Sequence, residues 1–155
     1  QQLQRVLQQS RIKSSCLTLE ITESLLMEDI EATGELLQQV QAMGVKISID
    51  DFGTGYSSLS YLHQLPFDSL KIDRDFVSPA TPSRKSRTIA ESIGGLSNLL
   101  GFDAIAEGIE TPDQLEWLRS LHCEYGQGYL FAKPLPVDQA QQLLQNSDAL
   151  FAALR

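Results

Sequence analysis

The sequence predicts a parallel α/β fold built as one domain over residues 1–155. Strand-like β-branched runs and amphipathic helical stretches alternate about six times with short connections, the pattern of consecutive βα units. Acidic residues recur where the strand-like runs end. No low-complexity segment or linker interrupts the chain.

Gln1–Gln9 places Leu3, Val6 and Leu7 at helical spacing and reads as the end of a helix. Cys16–Ile21 reads as a strand that ends near Glu20 and Glu23. Glu28–Met43 reads as an amphipathic helix, with Ile30, Leu36, Leu37, Val40 and Met43 sharing a face. Gly44 can end that helix, and Val45, Ile47 and Ile49 begin a buried strand that runs into Asp50 and Asp51. Ser57–Leu65 reads as a short helix stopped before Pro66, and Ser69–Asp73 as a third strand. Ser78–Ser86, with its two prolines, reads as an exposed loop. Arg87–Leu100 is expected to be helical through Ile89, Ile93, Leu96 and Leu100, closing at Gly101. Phe102–Glu107 reads as a fourth strand. Thr111 before Pro112 gives an N-cap and a proline at the first helical position, so a helix opens there and runs to Leu121. His122–Tyr129 and Leu130–Ala132 read as two further short strands, Val137–Leu144 as a closing helix, and the last residues as another.

The chain has 155 residues, 42% hydrophobic and 21% charged, which is enough for one domain with a sizeable core. Twenty acidic residues against 12 basic ones give a net charge of −8. That balance argues against DNA or an anionic membrane as partner. No apolar run reaches the length of a membrane span. Cys16 and Cys123 border apolar strand-like runs and are expected to be buried free thiols, which fits a reducing, cytoplasmic location. The chain opens on Gln1, so a processed product or a piece of a longer protein is expected.

Polar residues gather at the predicted strand ends: Glu20 and Glu23, then Asp50 and Asp51, then Lys71 and Asp73, then Glu107 and Glu110, with Gln127 in the fifth strand. In a parallel barrel those ends open on one face, where such folds carry their chemistry. Taken alone, Asp50-Asp51 reads equally as the ligand pair of a divalent cation or as a solvated turn capping the next helix. The repetition at successive strands favours the cation, because converging carboxylates repel one another unless a cation offsets them. Two bound Mg²⁺ or Mn²⁺ ions would suit phosphoryl chemistry. Lys71 is then placed to orient a water or an oxyanion; its plainer role is a salt bridge with Asp73 or Glu107. Gly53-Thr-Gly-Tyr-Ser-Ser58 reads as a phosphate cradle, a glycine-hinged lid or a capped helix start. Asp51-Phe52-Gly53 resembles a kinase metal-binding triplet, but no kinase phosphate loop accompanies it. His63 and His122 show no zinc spacing, and Trp117 falls with Leu118 and Leu121 on a core face.

Together, Leu19-Glu-Ile-Thr-Glu23, Asp50-Asp-Phe-Gly-Thr-Gly-Tyr-Ser-Ser58, Leu70-Lys-Ile-Asp-Arg74, Ala106-Glu-Gly-Ile-Glu110, Gly126-Gln-Gly-Tyr129 and Phe131-Ala-Lys-Pro134 resemble the EAL-domain family of bacterial cyclic di-GMP phosphodiesterases. The resemblance implies a TIM-like (β/α)8 barrel with two catalytic Mg²⁺ or Mn²⁺ ions and hydrolysis of cyclic di-GMP to the linear dinucleotide. It implies Glu20, Asp50, Asp51 and Glu107 as metal ligands, Glu107 also as a candidate general base, and Lys71 as the group orienting the water. Glu23 would hold a lid of Phe52, Gly53, Thr54, Gly55, Tyr56, Ser57 and Ser58, while Asp73, Glu110 and Gln127 would support the metal and substrate sites. It further implies a homodimer and attached sensory or diguanylate-cyclase-type domains.

The Glu-Ala-Leu motif itself, the arginine after it and the family's asparagine ligand are absent from these 155 residues. A complete barrel has eight strands in about 250 residues, so the chain is expected to supply about six βα units and to lack the first two strands. Alone, it is expected to be inactive. The competing expectations are a non-catalytic cyclic di-GMP sensor and a structural remnant that binds neither metal nor dinucleotide.

Overall fold

The computed structural model describes residues 2–55, 61–77 and 83–146. Helix α1 (Gln2–Ser10) is followed by a single 3₁₀ turn at Ser14–Cys16 and strand β1 (Thr18–Thr22). Helices α2 (Glu23–Glu28) and α3 (Ile30–Ala42) lead to β2 (Lys46–Phe52). Then come β3 (Ser69–Ile72), α4 (Arg74–Val77), α5 (Arg84–Leu100), β4 (Asp103–Ala106), α6 (Pro112–Ser120), β5 (Tyr125–Gly126) and α7 (Val137–Gln145). The strands pair in chain order, β1-β2-β3-β4-β5, and every pairing is parallel.

Parallel sheets carry helices on their faces and bury their central strands on both sides. β3 shows this fully: Ser69, Leu70, Lys71 and Ile72 are all buried. Ile47, Ile49, Leu70 and Ile72 form the core with Leu26, Leu37 and Val40 from α2 and α3, and with Ala90 and Ile93 from α5. Thr111 closes a capping box with Gln114 at the start of α6, where the threonine-proline pair predicts a helix.

Several expectations are corrected. The helix read over Glu28–Met43 is α3, which opens at Ile30 with Asp29 capping it through Ala32 N–H; a separate short helix that was not expected, α2, precedes it, capped by Thr22 through Leu25 N–H. Leu36 is exposed, since α3 turns Gly34, Leu37 and Val40 inward instead. Cys16 is exposed, because it ends the 3₁₀ turn before β1 begins; Cys123 is partly buried. Leu130–Ala132 is no strand: Phe131 N–H and Ala132 N–H both return to Gly128 O, which folds the segment into a turn. Five strands therefore stand among the described residues. Arg84–Ser86 belongs to α5, capped by Ser83, rather than to a loop. Of the helix expected over Ser57–Leu65, residues 57–60 lie outside the described residues and Tyr61–Gln64 forms turns. The expected terminal helix lies mostly outside them as well. Trp117 is only partly buried against the core, and the Arg87 guanidinium lies 5.1 Å from its ring centroid. Among the described residues, no helix is long and apolar enough to cross a membrane.

Candidate active site

The sheet register brings the polar strand ends together. Glu20 pairs with Ser48, Thr22 with Asp50, and Lys71 lies opposite Ile105 one residue short of the end of β4. Side chains alternate along a strand, so Ser69 and Lys71 share the face opposite Leu70 and Ile72. On that face Lys71 Nζ lies 2.7 Å from Glu20 Oε2, 2.9 Å from Asp50 Oδ1 and 2.6 Å from Glu107 Oε1. Three strands thus direct carboxylates at one buried ammonium. Burial lowers the Lys71 pKa, but hydrogen bonds to Glu107, Glu20 and Asp50 outweigh it, and the net shift is upward. Gln127 Nε2 donates to the same Glu107 oxygen at 2.8 Å.

Adjacent residues in a regular strand face opposite ways, so Asp50 and Asp51 would diverge. The pairing of β2 with β3 shifts there: Ile49 opposes Leu70 and Phe52 opposes Ile72, so β2 spends one residue more than its partner. This bulge breaks the alternation at the point where the acidic pair lies. Asp51 takes a left-handed backbone, with φ of 54°, which a non-glycine residue adopts only when its surroundings enforce it. Its N–H donates to Asp50 Oδ1 at 3.1 Å, and its carbonyl accepts Thr54 Oγ1 at 2.8 Å and Thr54 N–H at 3.2 Å. Burial, then the Asp50 charge, then a hydrogen bond and charge from Asp73, and the Glu107 charge raise the Asp51 pKa. Asp51 therefore stands beside Asp50 and Asp73, and Lys71 is not among its partners.

The remaining expected residues take distinct positions. Glu23 is buried at the start of α2; its Oε2 accepts Gly53 N–H at 3.1 Å and its Oε1 accepts the Tyr61 hydroxyl at 3.3 Å. Asp73 Oδ1 accepts Asp75 N–H at 2.7 Å in the first turn of α4. Glu110 lies apart from the Lys71 cluster, and its N–H donates to Gln114 Oε1 at 2.7 Å. Phe52 is buried in β2, whereas Gly53, Thr54 and Gly55 follow it in a turn. Tyr56, Ser57 and Ser58 lie outside the described residues.

Beside Glu107, Glu110 and Gln127 opens a cleft of about 900 Å³, lined also by Arg74, Tyr129 and Lys133. Lys133 Nζ lies 5.7 Å from the Tyr129 ring centroid. The sequence reading gave these three no role, although Arg74 directly follows the Asp73 strand end and Lys133 sits in a turn near Gln127. Tyr61, the partner of Glu23, was likewise missed, and no spacing pattern marks it.

Hard carboxylate oxygens suit Mg²⁺ or Mn²⁺, and one ammonium among Glu20, Asp50 and Glu107, with Asp51 adjacent, leaves excess negative charge. The donor chemistry fits a divalent cation. In this arrangement the carboxylates converge on Lys71, and no group of three acidic, histidine or cysteine side chains among the described residues is already gathered to hold a metal.

A parallel α/β sheet with an acidic, lysine-centred cluster at its strand ends has the architecture of a barrel enzyme segment. The EAL domain family profile matches residues 1–134, and the chain belongs to that family. It is 44% identical over 144 residues to the cyclic di-GMP phosphodiesterase NbdA of Pseudomonas aeruginosa, which covers 93% of this chain and 18% of NbdA. It is 46% identical over 128 residues to the bifunctional diguanylate cyclase/cyclic di-GMP phosphodiesterase MucR of the same organism, covering 83% of this chain and 19% of MucR. The structure of the PaMucR phosphodiesterase in complex with c-di-GMP superposes with a TM-score of 0.86 at 43% identity, over 89% of this chain and 56% of that one. Klebsiella pneumoniae BlrP1, in a manganese and cyclic di-GMP complex, gives 0.77 at 31% identity, over 85% of this chain and 34% of that one. The five-stranded parallel sheet is part of a TIM-like barrel, and the chain spans less than a fifth of NbdA.

Proposed function

We propose that this chain carries much of the catalytic site of a metal-dependent phosphodiesterase that opens cyclic di-GMP to its linear dinucleotide. The observation that carries this reading is the gathering of Glu20, Asp50 and Glu107 around Lys71, with Asp51 on the adjoining bulge. The cyclic di-GMP phosphodiesterase names of NbdA and MucR support the substrate.

Glu20, Asp50, Asp51 and Glu107 would hold Mg²⁺ or Mn²⁺. Such ions would supply Lewis acidity, to acidify a water and to offset negative charge on a phosphodiester. Lys71 contributes a fixed ammonium at the same face, orienting the attacking oxygen and countering charge that develops on the phosphate. Gln127 holds the Glu107 carboxylate in place through its amide. Asp73 supports Asp51, and Arg74, Lys133 and Glu110 give the neighbouring cleft a polar lining for the dinucleotide. Glu23 anchors the turn after β2 through Gly53. A homodimer, attached cyclase-type or sensory domains and a cytoplasmic setting complete the reading; the bifunctional name of MucR supports such neighbours.

The test is Mn²⁺-dependent conversion of cyclic di-GMP to the linear dinucleotide by the protein purified at its natural length. Turnover that Asp51→Asn abolishes is expected. Tight dinucleotide binding without turnover would overturn the hydrolytic reading and leave a sensor.

A further inference from the structure

The Glu23 carboxylate is buried, 1% exposed, at the first position of α2, and among the described residues it forms no salt bridge. Its two oxygens are satisfied separately: one by the backbone N–H of Gly53, the other by the hydroxyl of Tyr61. A buried carboxylate with both oxygens engaged by neutral donors is fixed in rotation as well as position, whereas one donor leaves it free to swing about its terminal bond. Tyr61 is itself 2% exposed, so its ring is held by packing and its hydroxyl arrives at Glu23 from a rigid base.

What the fixed oxygen does is set by chain geometry. Gly53 follows the bulge directly, at φ of 90°, two residues beyond left-handed Asp51. The N–H of Gly53 therefore points at Glu23 only while the backbone keeps that turn. Thr54 closes the turn from the other side onto the Asp51 carbonyl. An uncommon backbone at Asp51 needs such restraint, because an L-residue gains energy by leaving the left-handed region.

We propose that Tyr61 is a positioning residue for the strand-end carboxylates: its hydroxyl fixes Glu23, Glu23 holds Gly53 N–H, and that contact keeps Asp50 on Lys71 and Asp51 on the adjoining bulge. The chain of contacts runs through a buried carboxylate rather than through the reacting groups, so Tyr61 acts without touching substrate. The catalytic consequence rests on the phosphodiesterase reading; the structural one does not.

The experiment separates the two. Tyr61→Phe removes one oxygen and keeps the ring. Hydrogen exchange at the Gly53 amide, followed by NMR without substrate, is expected to quicken about tenfold, while the amides of β3 keep their protection. In Glu23→Gln that exchange is already fast, and adding Tyr61→Phe changes it less than twofold, because the two act in series. Unchanged Gly53 exchange in Tyr61→Phe overturns the proposal, as does equal quickening throughout the sheet, which would mean a general loss of packing. On the natural-length protein, kcat for cyclic di-GMP is expected to fall about tenfold with KM within twofold. An altered KM with unchanged kcat overturns the positioning role. Absence of turnover in the wild type would refute the phosphodiesterase reading alone, since the exchange measurement stands without it.

Discussion

Lys71 Nζ stands 2.6 Å from Glu107 Oε1, and the amide of Gln127 reaches that same oxygen at 2.8 Å. One carboxylate oxygen thus joins β3 to the end of β4 and to the segment after β5. Lys71 is the shared counter-charge for three strands, and its replacement leaves Glu20, Asp50 and Glu107 facing one another.

Lys71→Met is therefore expected to cost about 1–3 kcal/mol of folding stability, below the roughly 3–5 kcal/mol of a fully buried ion pair because all three carboxylates keep some contact with water. Glu20, 48% exposed, recovers hydration most readily of the three. Urea denaturation in the presence of a chelator measures it. Added Mn²⁺ is expected to raise the midpoint of the variant, since the freed carboxylates then have a cation to share; no gain would count against them as ligands.

The pH dependence of stability follows from two upward shifts. Lys71 has a folded pKa above its ordinary 10.5, and burial followed by the Glu23 charge and hydrogen bond raises Tyr61 above its ordinary 10.0. Both groups bind their proton more tightly when folded, so their contribution is complete below the unfolded pKa and is lost as pH rises through the folded one. Stability is expected to be level from these groups across neutral pH and to fall above pH of about 10. Denaturant midpoints from pH 7 to 11 check this, and Tyr61→Phe should flatten part of the alkaline decline.

Asp51 has the opposite consequence at neutral pH. Its raised pKa means that the fold favours the protonated acid, so a penalty sets in above the ordinary 3.8 and is complete once pH exceeds the folded pKa. Asp51→Asn removes that penalty and keeps a residue type that tolerates the left-handed backbone. A modest gain, under about 1 kcal/mol, is expected in chelator at pH 7 and should vanish as pH falls below the ordinary 3.8. The same variant should lose Mn²⁺-induced stabilisation, which thermal melts with and without the ion would show.

Two glycines test the backbone around the cluster. A Cβ at Gly53 would sit at φ of 90° and 3.1 Å from Ile93 Cδ1, so Gly53→Ala is expected to cost about 1–2 kcal/mol. At Gly128 a Cβ would overlap the backbone N, C and O of Ile109, a clash that no side-chain motion can relieve. Gly128→Ala should cost about 3 kcal/mol or more and displace Gln127 from Glu107. Equal losses in the two variants, by urea denaturation, would contradict this order.

Much of the site was legible because residue type and local periodicity are written along the chain. The β-branched run Val45–Ile49 ending in Asp50-Asp51 announces a buried strand with acidic residues at its exit, and Thr111-Pro112 announces a helix. Helix α2 is less legible: the strand read over Cys16–Ile21 stops just before it, and nothing in the sequence marks Thr22 as the cap of the six residues that follow. Leu130–Ala132 looked like a strand because apolar composition does not reveal that Phe131 and Ala132 donate back to Gly128.

The sequence by itself determined the donors, the alternation of strand and helix, and the family motifs. The tertiary structure alone decided that Lys71 meets Glu20, Asp50 and Glu107 rather than Asp73, that one extra residue in β2 re-aims Asp50 and Asp51, and that Tyr61 completes Glu23. The reason is physical: side-chain chemistry is a property of each residue, whereas convergence depends on strand register, where a shift of one position reverses the face to which every side chain points.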